Sequence, residues 1–294
     1  MKRNILLGVL VVFIFVVSSC ATMSPTSKTA KIALVLGAGS SKGFAHIGVL
    51  KILEMNHIPV HMIVGTSVGS AVGSLYAYGF DAFQLQRISF AIEKGDIVDY
   101  IIPFPTNGFI KGEKLEAFIN KTLNNTSMEN LKIPFYAVAT DIQNGQEIVF
   151  GSGNTGQAVR ASCSIPGIFR PVQIGDRMYV DGGVVSPIAV DAARRLGADI
   201  VIAVDISGEH DRTKPDGTMA TISQAFNIMY SKLGQIQLAR ADVVIRPKVG
   251  YIGSSDFSKR HEATLEGEKA AMEVLPQIMQ IINRLKKEGR LESK

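Results

Sequence analysis

Short uninterrupted apolar runs alternate along this chain with longer stretches whose apolar residues recur at helical spacing. Residues 31–36 form such a run, bounded by glycine, and predict a buried strand. A glycine-rich loop follows at 37–43. Ala45, Val49, Ile52 and Leu53 then mark one face of a helix over 44–55. The same sequence of strand, loop and helix repeats at 61–64, with the second helix running through Ala71, Val72, Leu75 and Tyr76 until Gly79 stops it. Further helices are expected at 82–93 and 114–123. Strands are expected at 133–140 and 147–150, with Asn144-Gly145 as a hairpin turn between them. A short helix at 157–162, extended pieces at 172–174 and 178–180 and a helix at 187–196 come next. The run 200–206 reads as a central strand buried on both faces, and a helix at 218–240, a strand at 243–246 and a helix at 261–287 close the chain. Strand, glycine loop and helix in succession open an α/β fold.

The first residues break this pattern. Lys2 and Arg3 precede an apolar run from Ile5 to Val17, followed by Ser18, Ser19 and Cys20. That run is shorter than the roughly 20 residues a membrane-spanning helix needs, so residues 1–19 read as a cleaved signal peptide. Val17-Ser18-Ser19-Cys20 resembles a bacterial lipoprotein box, in which Cys20 is acylated. Residues 20–30 then form the lipidated cysteine and its tether, and the resemblance implies an envelope protein, on the outer membrane because no Asp follows Cys20. An ordinary secretory leader with an incidental cysteine is the alternative. No linker composition or internal repeat divides residues 31–288, which are expected to form one domain.

The 294 residues are 46% hydrophobic and 19% charged, which suits a globular domain. The net charge of +5 falls to +3 once Lys2 and Arg3 leave with the leader, and the remaining basic residues are scattered, so a nucleic-acid partner is not expected. Two cysteines, Cys20 and Cys163, make no disulfide framework. No cluster has metal-ligand spacing, so neither metal nor other cofactor is expected. Oligomeric state has no signature.

Three motifs carry chemistry. Gly65-Thr66-Ser67-Val68-Gly69 lies between a strand and a helix, where a sharp turn lifts a serine clear of the sheet and flanking glycines remove obstructing side chains. Ser67 there faces the positive end of a helix dipole; the plainer reading is an N-capping serine in a glycine-rich turn. The loop Gly37-Ala38-Gly39-Ser40-Ser41-Lys42-Gly43 presents several backbone N–H groups at one point, as a tetrahedral intermediate requires. Its glycine spacing is one residue too long for a dinucleotide fingerprint, and it lacks the ending of a phosphate loop. Asp181-Gly182-Gly183 sets a carboxylate at a strand end, either facing a cleft or merely forming a turn.

Taken in order, these motifs, the continuation Ala45-His46-Ile47-Gly48-Val49-Leu50 and the block Ala161-Ser162-Cys163-Ser164-Ile165-Pro166-Gly167-Ile168-Phe169 resemble the patatin-like phospholipase family over residues 31–205, with the short bacterial branch nearest. The resemblance implies a three-layer α/β fold, a central, mostly parallel sheet flanked by helices, and a Ser-Asp dyad without histidine. Ser67 would be the nucleophile and Asp181 its base, with backbone N–H groups around Gly39, Ser40 and Ser41 as oxyanion hole. Gly37, Lys42, Gly43, Gly65, Gly69, Gly182 and Gly183 support the motifs, Lys42 standing where the family often has Arg. The implied activity is hydrolysis of lipid acyl esters through an acyl-enzyme, with burial raising the pKa of Asp181. Cys163 reads as a small core residue and His46 as a packing or hydrogen-bonding residue, while Phe104, Phe109 and Ile110 either touch acyl chains or form a covering loop or core.

Two rivals remain. An α/β-hydrolase triad would draw its histidine from His210 or His261, after Asp181 or Asp205. A non-catalytic lipid-binding lipoprotein that kept the fold is the other.

Overall fold

The computed structural model describes residues 28–101, 108–208 and 215–292. The leader, Cys20, most of the tether, Phe104 and His210 lie outside these.

Among the described residues the chain runs β1 (Ile32–Leu36), α1 (Phe44–Met55), β2 (Met62–Thr66), α2 (Val68–Tyr78), α3 (Ala82–Ala91), α4 (Lys94–Ile97), α5 (Glu113–Thr122), β3 (Phe135–Asp141), β4 (Glu147–Phe150), α6 (Thr155–Ser162), β5 (Val172–Ile174), β6 (Arg177–Asp181), α7 (Val190–Arg195), β7 (Ile200–Val204), α8 (Gly217–Leu238), β8 (Val243–Ile245) and α9 (Arg260–Lys287). One sheet has the order β5-β6-β3-β2-β1-β7-β8, with β4 also paired to β3. β3, β2, β1, β7 and β8 run parallel, whereas β4 and β6 join β3 antiparallel.

Every residue of β1, β2 and β7 is buried, as expected for strands covered on both faces. Alternate side chains of a strand point to opposite faces. In β1, Ile32, Leu34 and Leu36 enter one core with α1 and α9, while Ala33 and Val35 enter a second with α7. The result is the three-layer α/β arrangement that the family resemblance implies. Ala30 and Leu291 are also buried, and the Ala30 N–H donates to the Arg290 carbonyl at 2.9 Å.

Some elements differ from the sequence expectation. The helix expected from residue 187 begins at Val190, because the Pro187 carbonyl is taken by the Ala38 N–H at 2.9 Å and the Ile188 N–H by the Gln237 side chain at 3.0 Å. β3 starts at Phe135 and not at 133; the Pro134 carbonyl receives the Ile63 N–H, but proline has no N–H to return. β7 ends at Val204 and not at 206, since Asp205 turns its side chain back onto Ser207. The one-turn helix α4 was not expected.

α1 and α9 pack through small residues. A methyl group on Gly267 would fall on the Ala45 carbonyl, and one on Gly48 on the Thr264 carbonyl, backbone atoms that cannot swing aside. Gly267→Ala is therefore expected to destabilise the protein by about 1–3 kcal/mol through overpacking, despite alanine's better helix propensity. Urea unfolding should show the lower midpoint at unchanged slope, while Gly95→Ala, in α4 with open space around it, should hold or slightly raise the midpoint.

Candidate active site

The turn after β2 holds Ser67 at φ 56°, ψ −128°, a backbone region that a residue with a side chain rarely occupies. Neighbouring glycines make the turn possible. A Cβ on Gly65 would sit 2.5 Å from the Ser70 Cα, and one on Gly69 would strike the Leu36 carbonyl. The Ser67 side chain makes no capping bond to α2, so the N-cap reading does not describe it. Its main chain is fixed instead: the Ser67 N–H donates to Ser162 Oγ at 2.9 Å, and Ser70 Oγ donates to the Ser67 carbonyl at 2.7 Å.

Ser162 also donates to the Val138 carbonyl at 2.6 Å, which ties the elbow to β3. That strand brings the acid. Thr66 pairs with Val138, and Asp181 pairs with Ala139, one position further along β3. The Asp181 N–H donates to the Ser164 carbonyl at 2.8 Å, and Thr140 Oγ1 to the Asp181 carbonyl at 3.0 Å.

Asp181 is fully buried and Ser67 is 4% exposed. Asp181 Oδ1 accepts the Gly183 N–H at 2.7 Å, so the aspartate does form a turn, but Oδ2 is left without a partner at hydrogen-bond geometry. Burial pushes the carboxyl up from 3.8 to about 6, against the Ser67 hydroxyl, the Gly183 N–H and the Tyr230 hydroxyl, which favour its charged form. Tyr230, on α8, carried no sequence motif. Its trace is Gly183, whose missing side chain leaves the space that the tyrosine ring occupies. A Cβ on Gly182 would strike the Val138 carbonyl in the same way.

The glycine loop lies alongside. Ser40 has φ 53°, and Gly39 and Ser40 offer N–H groups that no described residue accepts. Ser41 differs from the other two, since its N–H donates to the Ser254 carbonyl at 3.3 Å and its hydroxyl to the Gly253 carbonyl at 2.6 Å. Gly37, Gly39 and Gly43 press against the Val204 carbonyl, Ile206 and Val68, and His46 Nε2 donates to the Gly37 carbonyl at 2.9 Å. Burial lowers the His46 pKa to about 4, so it stays neutral. Lys42 is buried and donates to the Ser207 carbonyl at 2.9 Å, which fastens the loop to the end of β7.

Ser67 opens into a cavity of about 860 Å³ with apolar walls that include Val72, Leu75, Leu85, Phe118 and Phe169. Phe109 and Ile110 line it too. Cys163 is buried beside Ser70 at 3.9 Å; burial and the Asp181 charge raise its thiol pKa, so it is no thiolate. His261 stacks on Phe90 at 4.1 Å, and no described histidine bonds to Ser67 or Asp181. No group that could hold a metal ion occurs among the described residues.

An elbow serine, an amide loop and a buried carboxylate at the strand ends of a three-layer sheet place the protein among α/β proteins built around a strand-to-helix serine. Residues 34–194 match the family described as Patatin-like phospholipase, and the chain belongs to that family. "Lysophospholipase nte1" of Aspergillus fumigatus is 35% identical over 186 residues, which are 62% of this chain and 12% of the relative. "Lysophospholipase NTE1" of Coccidioides immitis is 30% identical over 299 residues, 88% of this chain and 18% of the relative. The chain thus spans less than a fifth of the length of these relatives. Among solved structures, VipD from Legionella pneumophila gives a TM-score of 0.49 at 12% identity, covering 86% of this chain and 68% of VipD. ExoU from Pseudomonas aeruginosa, solved with SpcU, gives 0.49 at 13%, covering 86% of this chain and 54% of ExoU.

The raised Asp181 pKa has a sign that stability measurements can read. Its folded value lies above the unfolded 3.8, so the native state binds the proton more tightly, and stability is lost as pH rises from about 4 to about 6. Above that window the buried charge costs about 3 kcal/mol. Asp181→Asn is expected to melt several degrees higher than the parent at pH 7.5, with the gap closing towards pH 4, in paired thermal melts.

Proposed function

We propose that this chain is a serine acyl hydrolase that cleaves lipid acyl esters through Ser67 and Asp181. The observation that carries the reading is the strained Ser67 beside a buried carboxylate with one oxygen unpartnered, in the lining of an apolar cavity. Ser67 Oγ attacks the ester carbonyl while Asp181 takes its proton. With a pKa of about 6, Asp181 is ionised at neutral pH and yet a stronger base than an exposed aspartate. The N–H groups of Gly39 and Ser40 receive the oxyanion. Asp181 then returns the proton to the departing alcohol; water, giving a proton to the same carboxylate, attacks the acyl-enzyme, and that proton passes to Ser67 Oγ as the acid leaves.

The apolar walls suit a long acyl chain, and the relatives' name supports a lysophospholipid as substrate. Expected results follow from that geometry. Lysophosphatidylcholine and a long-chain ester should be hydrolysed with higher kcat/KM than a four-carbon ester, the rate falling as pH drops below about 6. Ser67→Ala and Asp181→Asn should each lose at least about a thousandfold, while His261→Ala should retain most activity. A parent protein inert on every ester, with Ser67 unlabelled by a fluorophosphonate, would favour the non-catalytic lipid-binding reading.

The reading extends to an exported bacterial lipoprotein held at the membrane by acylated Cys20, on the outer membrane. The charged start, apolar run and small residues before Cys20 support it; among the described residues no helix is long and apolar enough to cross a membrane. Labelled palmitate should enter the full chain expressed in a bacterium, and Cys20→Ser should abolish the incorporation.

A further inference from the structure

Two polar atoms at the centre of this site are buried without a hydrogen-bond partner, Asp181 Oδ2 and the Tyr230 hydroxyl. Stranding even one such atom is costly, and native proteins rarely keep two side by side without a use. The tyrosine is not there by loose packing. It is 6% exposed, its ring fills the space over Gly183, and Gly183 in turn donates to the other oxygen of the same carboxylate. Tyr230 also lines the cavity into which Ser67 opens.

We propose that Tyr230 is a positioning residue for the reaction: its hydroxyl donates to the free oxygen of Asp181, keeping the carboxylate charged and its second oxygen aimed at Ser67. The inference rests on the Ser67–Asp181 reading above. A small closure brings the two atoms into contact, since hydrogen bonds of this kind are often long before substrate arrives. Tyr230 keeps its proton throughout, because burial and the adjacent negative charge hold its phenol well above 10. The proton that moves is that of Ser67, which passes to Asp181 and then to the leaving alcohol.

The other groups around Asp181 leave this role open to Tyr230. Cys163, at the end of α6, remains a protonated thiol. The Lys42 ammonium, from the glycine loop, donates to the Ser207 carbonyl, and the neutral His46 ring donates to Gly37. Among the described residues Asp181 forms no ion pair. A hydroxyl donor therefore does for this carboxylate what a cation does elsewhere, without neutralising the base.

The test is the rate at which a fluorophosphonate labels Ser67 between pH 4.5 and 8.5, in the parent, Tyr230→Phe, and a chain carrying 3-fluorotyrosine at 230. Losing a hydrogen bond to a charged group raises the Asp181 pKa, so the acid midpoint should move from about 6 to about 7 in Tyr230→Phe, with labelling near pH 5 down about tenfold and little changed at pH 8.5. Fluorotyrosine, a stronger donor, should shift the midpoint the opposite way. Thermal melts identify any variant that fails to fold, and the fluorotyrosine chain then carries the test. An unmoved midpoint, or a loss by one factor at every pH, overturns the role of Tyr230. A parent that is not labelled at all overturns the Ser67–Asp181 reading itself, and with it this inference.

Discussion

The strained backbone of Ser67 is the constraint on which the rest of the site depends. A residue with a side chain does not hold φ 56° and ψ −128° unless its surroundings leave no alternative. Here they do not. Gly65 and Gly69 allow main chain to pack on main chain, and Ser162 clamps the elbow N–H to β3. α2 takes the Ser67 carbonyl through the Ser70 N–H at 2.8 Å. The hydroxyl of Ser67 is the group that this network leaves uncommitted by any capping bond, and so the one free to react.

The second partner arrives through sheet register. Because β2 and β6 meet β3 at successive positions, Val138 and Ala139, Ser67 and Asp181 come together although more than a hundred residues separate them. A slip of one residue in either pairing would turn its side chains to the opposite face and part Ser67 from Asp181. The polar bonds along this seam, from Ser162, Ser164, Thr140 and Thr66, are buried, so each defends the register at a cost if broken. The block around Cys163 thus supplies the fasteners between the two strand ends and not a second nucleophile.

How much of this is legible in the sequence depends on how local each constraint is. The elbow and the amide loop are legible because their glycines answer to close approaches at or near the turns they occupy, and the apolar runs of β1 and β7 announce a sheet covered on both sides. Element ends were less legible where a distant atom competes for a backbone group. Pro187 and Ile188 look helical until Ala38 and Gln237 claim them. Among the three loop residues carried over for the oxyanion, nothing in sequence separates Ser41, because its commitment to Ser254 depends on the far end of the chain. Tyr230 is the clearest case. One aromatic residue in the middle of a 22-residue helix has no pattern to distinguish it, and only the fold shows that the second glycine of Asp-Gly-Gly makes room for its ring.

A base made from a carboxylate must satisfy two opposed demands. An aspartate in water is too weak a base for a serine hydroxyl, whereas one stripped of all partners would take up a proton and cease to be a base. Under the proposed role of Asp181, burial answers the first demand and a few hydroxyl and N–H donors the second, with the carboxyl at about 6. Apolar residues, Val72, Leu75 and Phe118 among them, line the cavity into which Ser67 opens. Under the proposed hydrolysis, an acyl chain filling that cavity would shut solvent out on the Ser67 side, as the fold already does around Asp181, which is fully buried before any substrate arrives.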